Sequence, residues 1–212
     1  MDLSLLTGQL ATLGVTSVTF VLSLVLAITM TMKSRKSRQP SQMFWALGLW
    51  IFAITVLIEM AFAAGAYSGI AEKAYLALVA LLVEVLALGS IQLVRSRVLR
   101  FSYYAFFAVS AGYLFYATAT SSVGNLISNY MMTSLPPLSV TIASILVTVP
   151  STAVLIAVAA IGFVRTRKKR MLSIIAGIAL VAAAGSLYIA QFPSALYIAE
   201  FVGILLLWIG FT

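Results

Sequence analysis

Seven long apolar runs, separated by short polar breaks, dominate this chain of 212 residues. A helix needs roughly 20 apolar residues to cross about 30 Å of hydrocarbon, and each run is close to that length. Because 63% of the residues are hydrophobic and only 8% are charged, the chain cannot present a water-facing surface, and its solvent is lipid. We therefore expect one polytopic domain over residues 1–212, an all-α integral membrane bundle of seven transmembrane helices. The predicted spans are approximately residues 10–32, 43–65, 74–94, 101–120, 140–164, 171–190 and 195–212.

The positions of the basic residues predict the orientation. Of the 13 Lys and Arg, 12 lie in the first, third and fifth breaks between spans, and only Lys73 lies in another break. Positive loops stay in the cytoplasm, so we expect the N-terminus outside, the C-terminus inside, and a multi-pass protein of the cell (plasma) membrane. In those positions the side chains also contact anionic headgroups, which argues against a nucleic-acid partner. The residues are Lys33, Arg35, Lys36, Arg38, Arg95, Arg97, Arg100, Arg165, Arg167, Lys168, Lys169 and Arg170.

Three acids lie inside predicted spans: Glu59 in the second, Glu84 in the third and Glu200 in the seventh. No Lys or Arg lies well inside any span, so none of the three has an ion-pair partner within the membrane. An acid at a helix centre costs about 2.5–3.5 kcal/mol on insertion scales, which a bound proton, a bound cation or a hydrated cavity relieves. At about 1.5 Å per residue, all three lie in the outer half of the membrane or near its midplane.

We expect these acids to line a pocket that opens outward between spans 2, 3 and 7, covered by the long loop 121–139. Small residues beside an acid, such as Thr55 one turn before Glu59, are typical of a bundle interior. Tyr113 and Tyr116, in the outer half of span 4, complete the candidate set for binding a small ligand or a cation. The alternative is that each acid is protonated and hydrogen-bonds a neighbouring helix.

The residues that the chain lacks exclude several classes of function. Without Cys or His, it has no disulfide, no thiol nucleophile, no Cys/His zinc site and no histidine-ligated haem. Span 7 has no Lys for a retinal Schiff base, the only Asp is Asp2, and there is no Walker A or GxGxxG motif. We expect no enzyme activity, no catalytic residue, no cofactor and no metal site.

Small and weakly polar residues at helical spacing predict the faces on which the helices pack. They also outnumber those that one bundle needs, which leaves a homo-oligomer open. Pro150 is expected to kink span 5. The two clearest faces are Thr12, Thr16, Thr19 and Ser23 in span 1, and Ala176, Ala179, Ala183 and Ser186 in span 6.

A basic loop, "KSRKSR", precedes an aromatic-rich span in which two tryptophans come before a glutamate, "MFWALGLWIFAITVLIEMAFAAG". A short outer loop, "SGIAEK", another span and "RSRVLR" follow. In this order of features the chain resembles the seven-helix N-terminal sensor module of bacterial and archaeal histidine kinases and related regulators. The resemblance implies a prokaryotic receptor-like module, but such modules are followed by a cytoplasmic output domain, whereas this sequence stops at Thr212.

Two functions remain as hypotheses. The first is a membrane sensor with an outward acidic pocket for a small ligand or cation, which signals through a membrane or cytoplasmic partner. The second is a proton- or cation-coupled transporter or channel that uses Glu59, Glu84 and Glu200 as ion sites. A structural subunit of a membrane complex is the third interpretation.

Overall fold

The structure, a computed structural model, describes residues 3–122, 126–128, 131–132, 134–167, 172–181 and 193–211. Within these residues the fold consists of seven helices and one short antiparallel hairpin, in which Ile127 pairs with Met132. The helices are α1 (Leu3–Ser37), α2 (Pro40–Ala63), α3 (Gly69–Ile91), α4 (Arg97–Thr120), α5 (Leu138–Thr166), α6 (Leu172–Val181) and α7 (Pro193–Phe211). The strands of the hairpin are β1 (Ile127–Ser128) and β2 (Met131–Met132).

Helices α1 to α5 are each long and apolar enough, by length and composition, to cross a membrane. The apolar stretches of α6 and α7 in the described part of the chain, Leu172–Val181 and Ile198–Gly210, are shorter. The prediction of a helical, membrane-embedded bundle is therefore confirmed, and the count of seven spans stays a prediction. The helices overlap the predicted spans closely, although α1 continues through the first basic cluster to Ser37.

The turns between helices follow from a few capping residues. Ser68 and Ser96 cap α3 and α4, because each side chain accepts a hydrogen bond from the backbone N–H three residues on. Pro40 begins α2, where its missing N–H loses no intrahelical bond. After α1, Arg38 adopts a left-handed backbone with φ of 53° and its N–H bonds Ser34 O, which ends the helix at the basic loop.

Hydrogen bonds between neighbouring helices show that they run antiparallel. Gln9 at the start of α1 bonds the carbonyl of Ala63 at the end of α2 over 2.9 Å. Lys73 at the start of α3 bonds the carbonyl of Ala119 at the end of α4 over 3.3 Å. Helix α3 is central, because it packs against α2, α4 and α5, while α1 packs against α2 and α7. The described basic clusters therefore lie at one end of the bundle, and Glu59, Lys73 and the β1–β2 hairpin lie toward the other.

Close packing of α2 against α3 sets the register between them. A Cβ on Gly89 would lie 2.4 Å from Trp45 Cδ1 and 2.9 Å from Ser41 O, so only glycine fits there. Trp45 donates a hydrogen bond from Nε1 to Ser90 Oγ over 3.2 Å. Positions at equal distances from the α2–α3 turn consequently face each other, and this brings Tyr75 opposite Glu59.

One of the two predicted small-residue faces is confirmed and the other is wrong. On α1, Thr12, Thr16, Thr19 and Ser23 are all buried. On α6, Ala176 and Ala179 are exposed, while Gly177 and Ile178 are buried. A Cβ on Gly177 would lie 3.0 Å from Gly203 O of α7, so these glycines make the contact. Ala183 and Ser186 lie outside the described residues.

Candidate functional site

Glu59 and Glu200 meet in the interior of the bundle, between α2, α3 and α7. Their carboxyl groups lie close enough to interact with each other, and Tyr75 Oη donates to Glu59 Oε1 over 2.7 Å. Glu59 is 3% exposed, Tyr75 5% and Glu200 8%, so no part of this cluster faces open solvent. We call Glu59 and Glu200 the carboxyl pair, and Tyr75 the tyrosine of the pair.

The two carboxyl groups of such a pair cannot both be ionised unless a nearby positive charge offsets their repulsion. Two unit charges 4 Å apart repel by about 4 kcal/mol at an effective dielectric of 20. Neither α2 nor α7 contains a Lys or Arg that would offset this repulsion. The repulsion is relieved when one carboxyl group binds a proton, which it can then donate to the other, or when a cation lies between them.

One oxygen of the pair lacks a hydrogen-bond donor among the described residues. Glu59 Oε2 is buried and receives no hydrogen bond from any residue that the structure describes. A buried acceptor without a donor costs about 1–3 kcal/mol, so the atom favours a bound proton or ion. Across the described residues there is no group of three acidic side chains suited to a metal ion. Two acids and a phenol are too few oxygen ligands for Ca²⁺, which takes six to eight.

Leu126, in the long loop after α4, packs beside the tyrosine of the carboxyl pair. Leu126, 5% exposed, packs with Phe62 and Tyr75 in one apolar cluster, against which Ala199 beside Glu200 also packs. The rings of Phe62 and Tyr75 meet edge to face at 5.8 Å. Leu126 thus lies where the expected cover of residues 121–139 would begin, and the cover itself stays a prediction. Asn125 and Asn129 of the same loop lie outside the described residues.

Glu72 anchors this cover. It was expected in an outer loop, but it lies in the first turn of α3 and is 2% exposed. Its Oε2 accepts a hydrogen bond from the backbone N–H of Leu126 over 3.0 Å. An acid in the first turn is also favoured by the helix dipole.

Glu84 occupies a separate site. It is fully buried on α3, about 13 Å along the helix from Tyr75 at about 1.5 Å per residue. Ser110 of α4 donates a hydrogen bond to Glu84 Oε1, and Glu84 Oε2 has no donor among the described residues. The expected convergence of the three acids is therefore observed for Glu59 and Glu200 and not for Glu84, and an outward-opening pocket at the pair stays a prediction.

A second polar contact lies beside Glu84. Tyr103 of α4 donates to Ser151 Oγ of α5 over 2.9 Å, and Ser151 in turn bonds Val147 O. Tyr103 also interacts electrostatically with Glu84. Because Ser151 follows Pro150, this contact joins α4 to α5 at the proline.

The other three predicted ligand residues do not reach the acids. Tyr113 is 38% exposed and Tyr116 67% exposed, because both lie on the side of α4 that faces away from the bundle. Ser110 and Leu114, in contrast, face the bundle interior. Thr55 is buried, and its hydroxyl bonds Phe52 O in its own helix. Helical spacing alone did not separate the inner face of α4 from the outer one.

The predicted basic residues lie where the helices turn at the opposite end. Arg100 is half-buried, and the other basic residues of these clusters that the structure describes are exposed: Lys33, Arg35, Lys36, Arg38, Arg95, Arg97, Arg165 and Arg167. Lys168, Lys169 and Arg170 lie outside the described residues.

Sequence reasoning missed Tyr75, Ser110, Glu72 and Leu126. A signal for Tyr75 was present, because Glu59 and Tyr75 stand eight positions before and after Tyr67 in the α2–α3 turn. In an antiparallel helical hairpin, such positions lie at equal depth. No comparable symmetry points to Ser110 or Leu126.

No family model, curated protein or solved structure matches this chain. The site therefore has to be interpreted from its own chemistry.

Proposed function

We propose that this protein is a membrane sensor module in which the Glu59–Glu200 pair takes up a proton or a small monovalent cation from the outer side. Occupancy changes the repulsion between α2 and α7, and the resulting helix movement reaches a partner at the basic end. The single observation that carries the proposal is the contact between the two buried carboxyl groups.

The pair suits a sensor because its charge state controls helix packing. Glu59 and Glu200 belong to helices far apart in sequence, so their contact depends on a bridging proton or ion. When the bridge is lost, like charges separate, and α7 is free to shift against α1 and α2. Leu126, held by Glu72, lies between the pair and the outer end of the bundle and makes access depend on the loop.

The finer placement belongs to the same proposal. We infer seven spans, an outside N-terminus, a cytoplasmic C-terminus and a plasma membrane, because the basic residues share one end. The native chain has no Cys, so single Cys residues report on sidedness without background. An impermeant maleimide added to intact cells should label Ala66→Cys and should label Ser37→Cys only after permeabilisation. The reverse pattern would invert the orientation.

The sensing step can be measured with two spin labels. Val98 on α4 and Ile209 on α7 are 74% and 58% exposed near the basic end, so labels on Val98→Cys and Ile209→Cys will disturb packing little. In nanodiscs, acidification of the medium should shift the distance between the labels. Glu59→Gln/Glu200→Gln should abolish the shift, whereas the matched control Glu84→Gln should retain it. A shift that persists in the double variant would refute the sensing role of the pair.

Glu84 favours a second candidate, a proton- or cation-coupled transporter. It offers a second buried carboxyl deeper along α3, with an oxygen that no described residue hydrogen-bonds. A carrier requires such an inner site after the outer pair. In liposomes it should show flux driven by a proton or ion gradient, and Glu84→Gln should abolish that flux. If no flux appears under any gradient, the transporter is excluded and the sensor remains as the proposed function.

A further inference from the structure

A groove of about 590 Å³ runs between the basic end of α1 and the start of α2. Its polar end is formed by Ser34, Arg35, Arg38 and Gln39 around the α1–α2 turn. Its other wall is apolar and includes Met43 and Leu47, which are 61% and 48% exposed on the outer surface of α2, and it ends at Trp50. The groove is far from the carboxyl pair and takes no part in the proposed function.

The far end of the groove is closed by a hydrogen bond between the two helices. Trp50 donates from Nε1 to Thr31 Oγ1 over 3.0 Å, which holds the indole against α1. Trp50 remains 37% exposed, so its ring forms part of the groove surface. A fixed aromatic wall beside an apolar slot is typical of a site for a chain of methylene groups.

The backbone at Arg38 brings a second guanidinium to the polar end. A φ of 53° is unusual for a residue with a side chain, and glycine normally takes this position at the end of a helix. An arginine in this conformation costs of order 1 kcal/mol, and Arg167 has the same backbone at the end of α5. Arg38 then lines the same groove as Arg35.

The groove is positively charged without an acid of its own. Neither its lining nor the loop around it contains Asp or Glu. The acid of α2, Glu59, lies about 28 Å away along the helix from Pro40, at about 1.5 Å per residue. Two guanidiniums beside the polar side chains of Ser34 and Gln39 favour a phosphate, which arginine binds through paired N–H groups.

We propose that this groove binds one anionic phospholipid, with its phosphate at Arg35 and Arg38 and an acyl chain along Met43, Leu47 and Trp50. The combination of a cationic mouth with an apolar wall selects a lipid over a free phosphate. Basic pockets between helices on the cytoplasmic side are suited to anionic headgroups in this way.

Trp50 supplies the probe for a test on the full chain in vesicles. Brominated lipids quench tryptophan on contact, so brominated phosphatidylglycerol is compared with brominated phosphatidylcholine at equal mole fraction in an unbrominated phosphatidylcholine bilayer. A bound lipid predicts excess quenching by the anionic lipid that saturates at a low mole fraction. The excess should disappear in Trp50→Phe, which leaves Trp45 and Trp208 as the remaining tryptophans.

Matched charge variants separate a site from general attraction. Arg35→Gln/Arg38→Gln should lose the excess, whereas Arg95→Gln/Arg97→Gln, which removes two exposed charges from the neighbouring turn, should keep it. Equal loss in both variants, or excess quenching that rises linearly without saturation, would show only a diffuse surface effect and overturn the site. If inorganic phosphate at millimolar concentration removes the excess, the site takes free phosphate and the lipid assignment is wrong.

Discussion

The phenol of Tyr75 donates a hydrogen bond to Glu59 Oε1 over 2.7 Å, in a region where both side chains are at least nine-tenths buried. This bond joins α3 to α2 at the depth where Glu200 arrives from α7. Three helices therefore meet through polar atoms in the interior of the bundle. Each of the following predictions tests a contact of this kind.

Tyr75→Phe removes one hydroxyl and leaves the ring in its apolar cluster. Because the hydrogen bond to Glu59 is buried, we expect the free energy of unfolding to fall by about 1–2 kcal/mol. The measurement is denaturant titration in mixed micelles followed by circular dichroism. Tyr113→Phe, at a tyrosine on the outer side of α4, is the control and should change stability by less than about 0.5 kcal/mol. Equal losses in the two variants would contradict the bond.

Ser110→Ala removes the only hydrogen bond that the described residues give to Glu84. A buried acid left without a donor costs about 1–3 kcal/mol, and we expect a loss of stability of that size. In a Glu84→Leu background, Ser110→Ala should lower the free energy of unfolding by less, because no polar group is left unsatisfied. A double-mutant cycle should therefore give a coupling energy of about 0.5–3 kcal/mol.

Thr118→Val is the control for Ser110→Ala. Thr118 is also buried on α4, but among the described residues its hydroxyl bonds only Leu114 O of its own helix. Its substitution should show no coupling to Glu84. A cycle with zero coupling for Ser110 as well would mean that the two side chains act independently.

Gly89→Ala tests the close packing of α2 on α3. The added Cβ would meet Trp45 and the backbone oxygen of Ser41, which cannot move without a shift of α2. We expect destabilisation of about 1–3 kcal/mol, measured as a lower midpoint of thermal aggregation in detergent. Gly112→Ala, where no atom lies within 4 Å, should be neutral or slightly stabilising. If both variants behave alike, this contact does not set the register.

Glu72→Ala should loosen the loop over the carboxyl pair. The amide of Leu126 would lose its buried acceptor, and we expect its hydrogen exchange to rise by one to two orders of magnitude, equivalent to about 1–3 kcal/mol of local stability. Hydrogen–deuterium exchange with mass spectrometry of the peptide that contains Leu126 provides the measurement. Glu72→Gln keeps an oxygen acceptor and should restore much of the protection. Unchanged exchange in Glu72→Ala would show that the loop is held by other contacts.

Much of the architecture could be predicted from hydropathy and capping residues. Apolar runs placed α2 to α5 within about five residues of their observed ends, although α1 extends beyond its predicted span 10–32 on both sides, and the Thr and Ser face of α1 was identified from its spacing. The packing face of α6 was not identified from spacing, because no feature of the sequence marks Ala176 and Ala179 as exposed. The contact depends instead on Gly177 against Gly203. Small residues indicate where helices can approach, and they do not specify which partner arrives.

The amino-acid sequence by itself determined that this chain is a helical protein of the membrane and that three glutamates lie within its helices. Those properties follow from the water-to-lipid transfer free energies of consecutive residues. Summing them does not require knowing which residues are neighbours in space. Only the tertiary structure decided that Glu59 meets Glu200 under Leu126 while Glu84 pairs with Ser110. The physical reason is that the rotation of each helix about its axis is set by interlocking side chains from distant segments, and a rotation of about 100° per residue decides which carboxyl groups face each other.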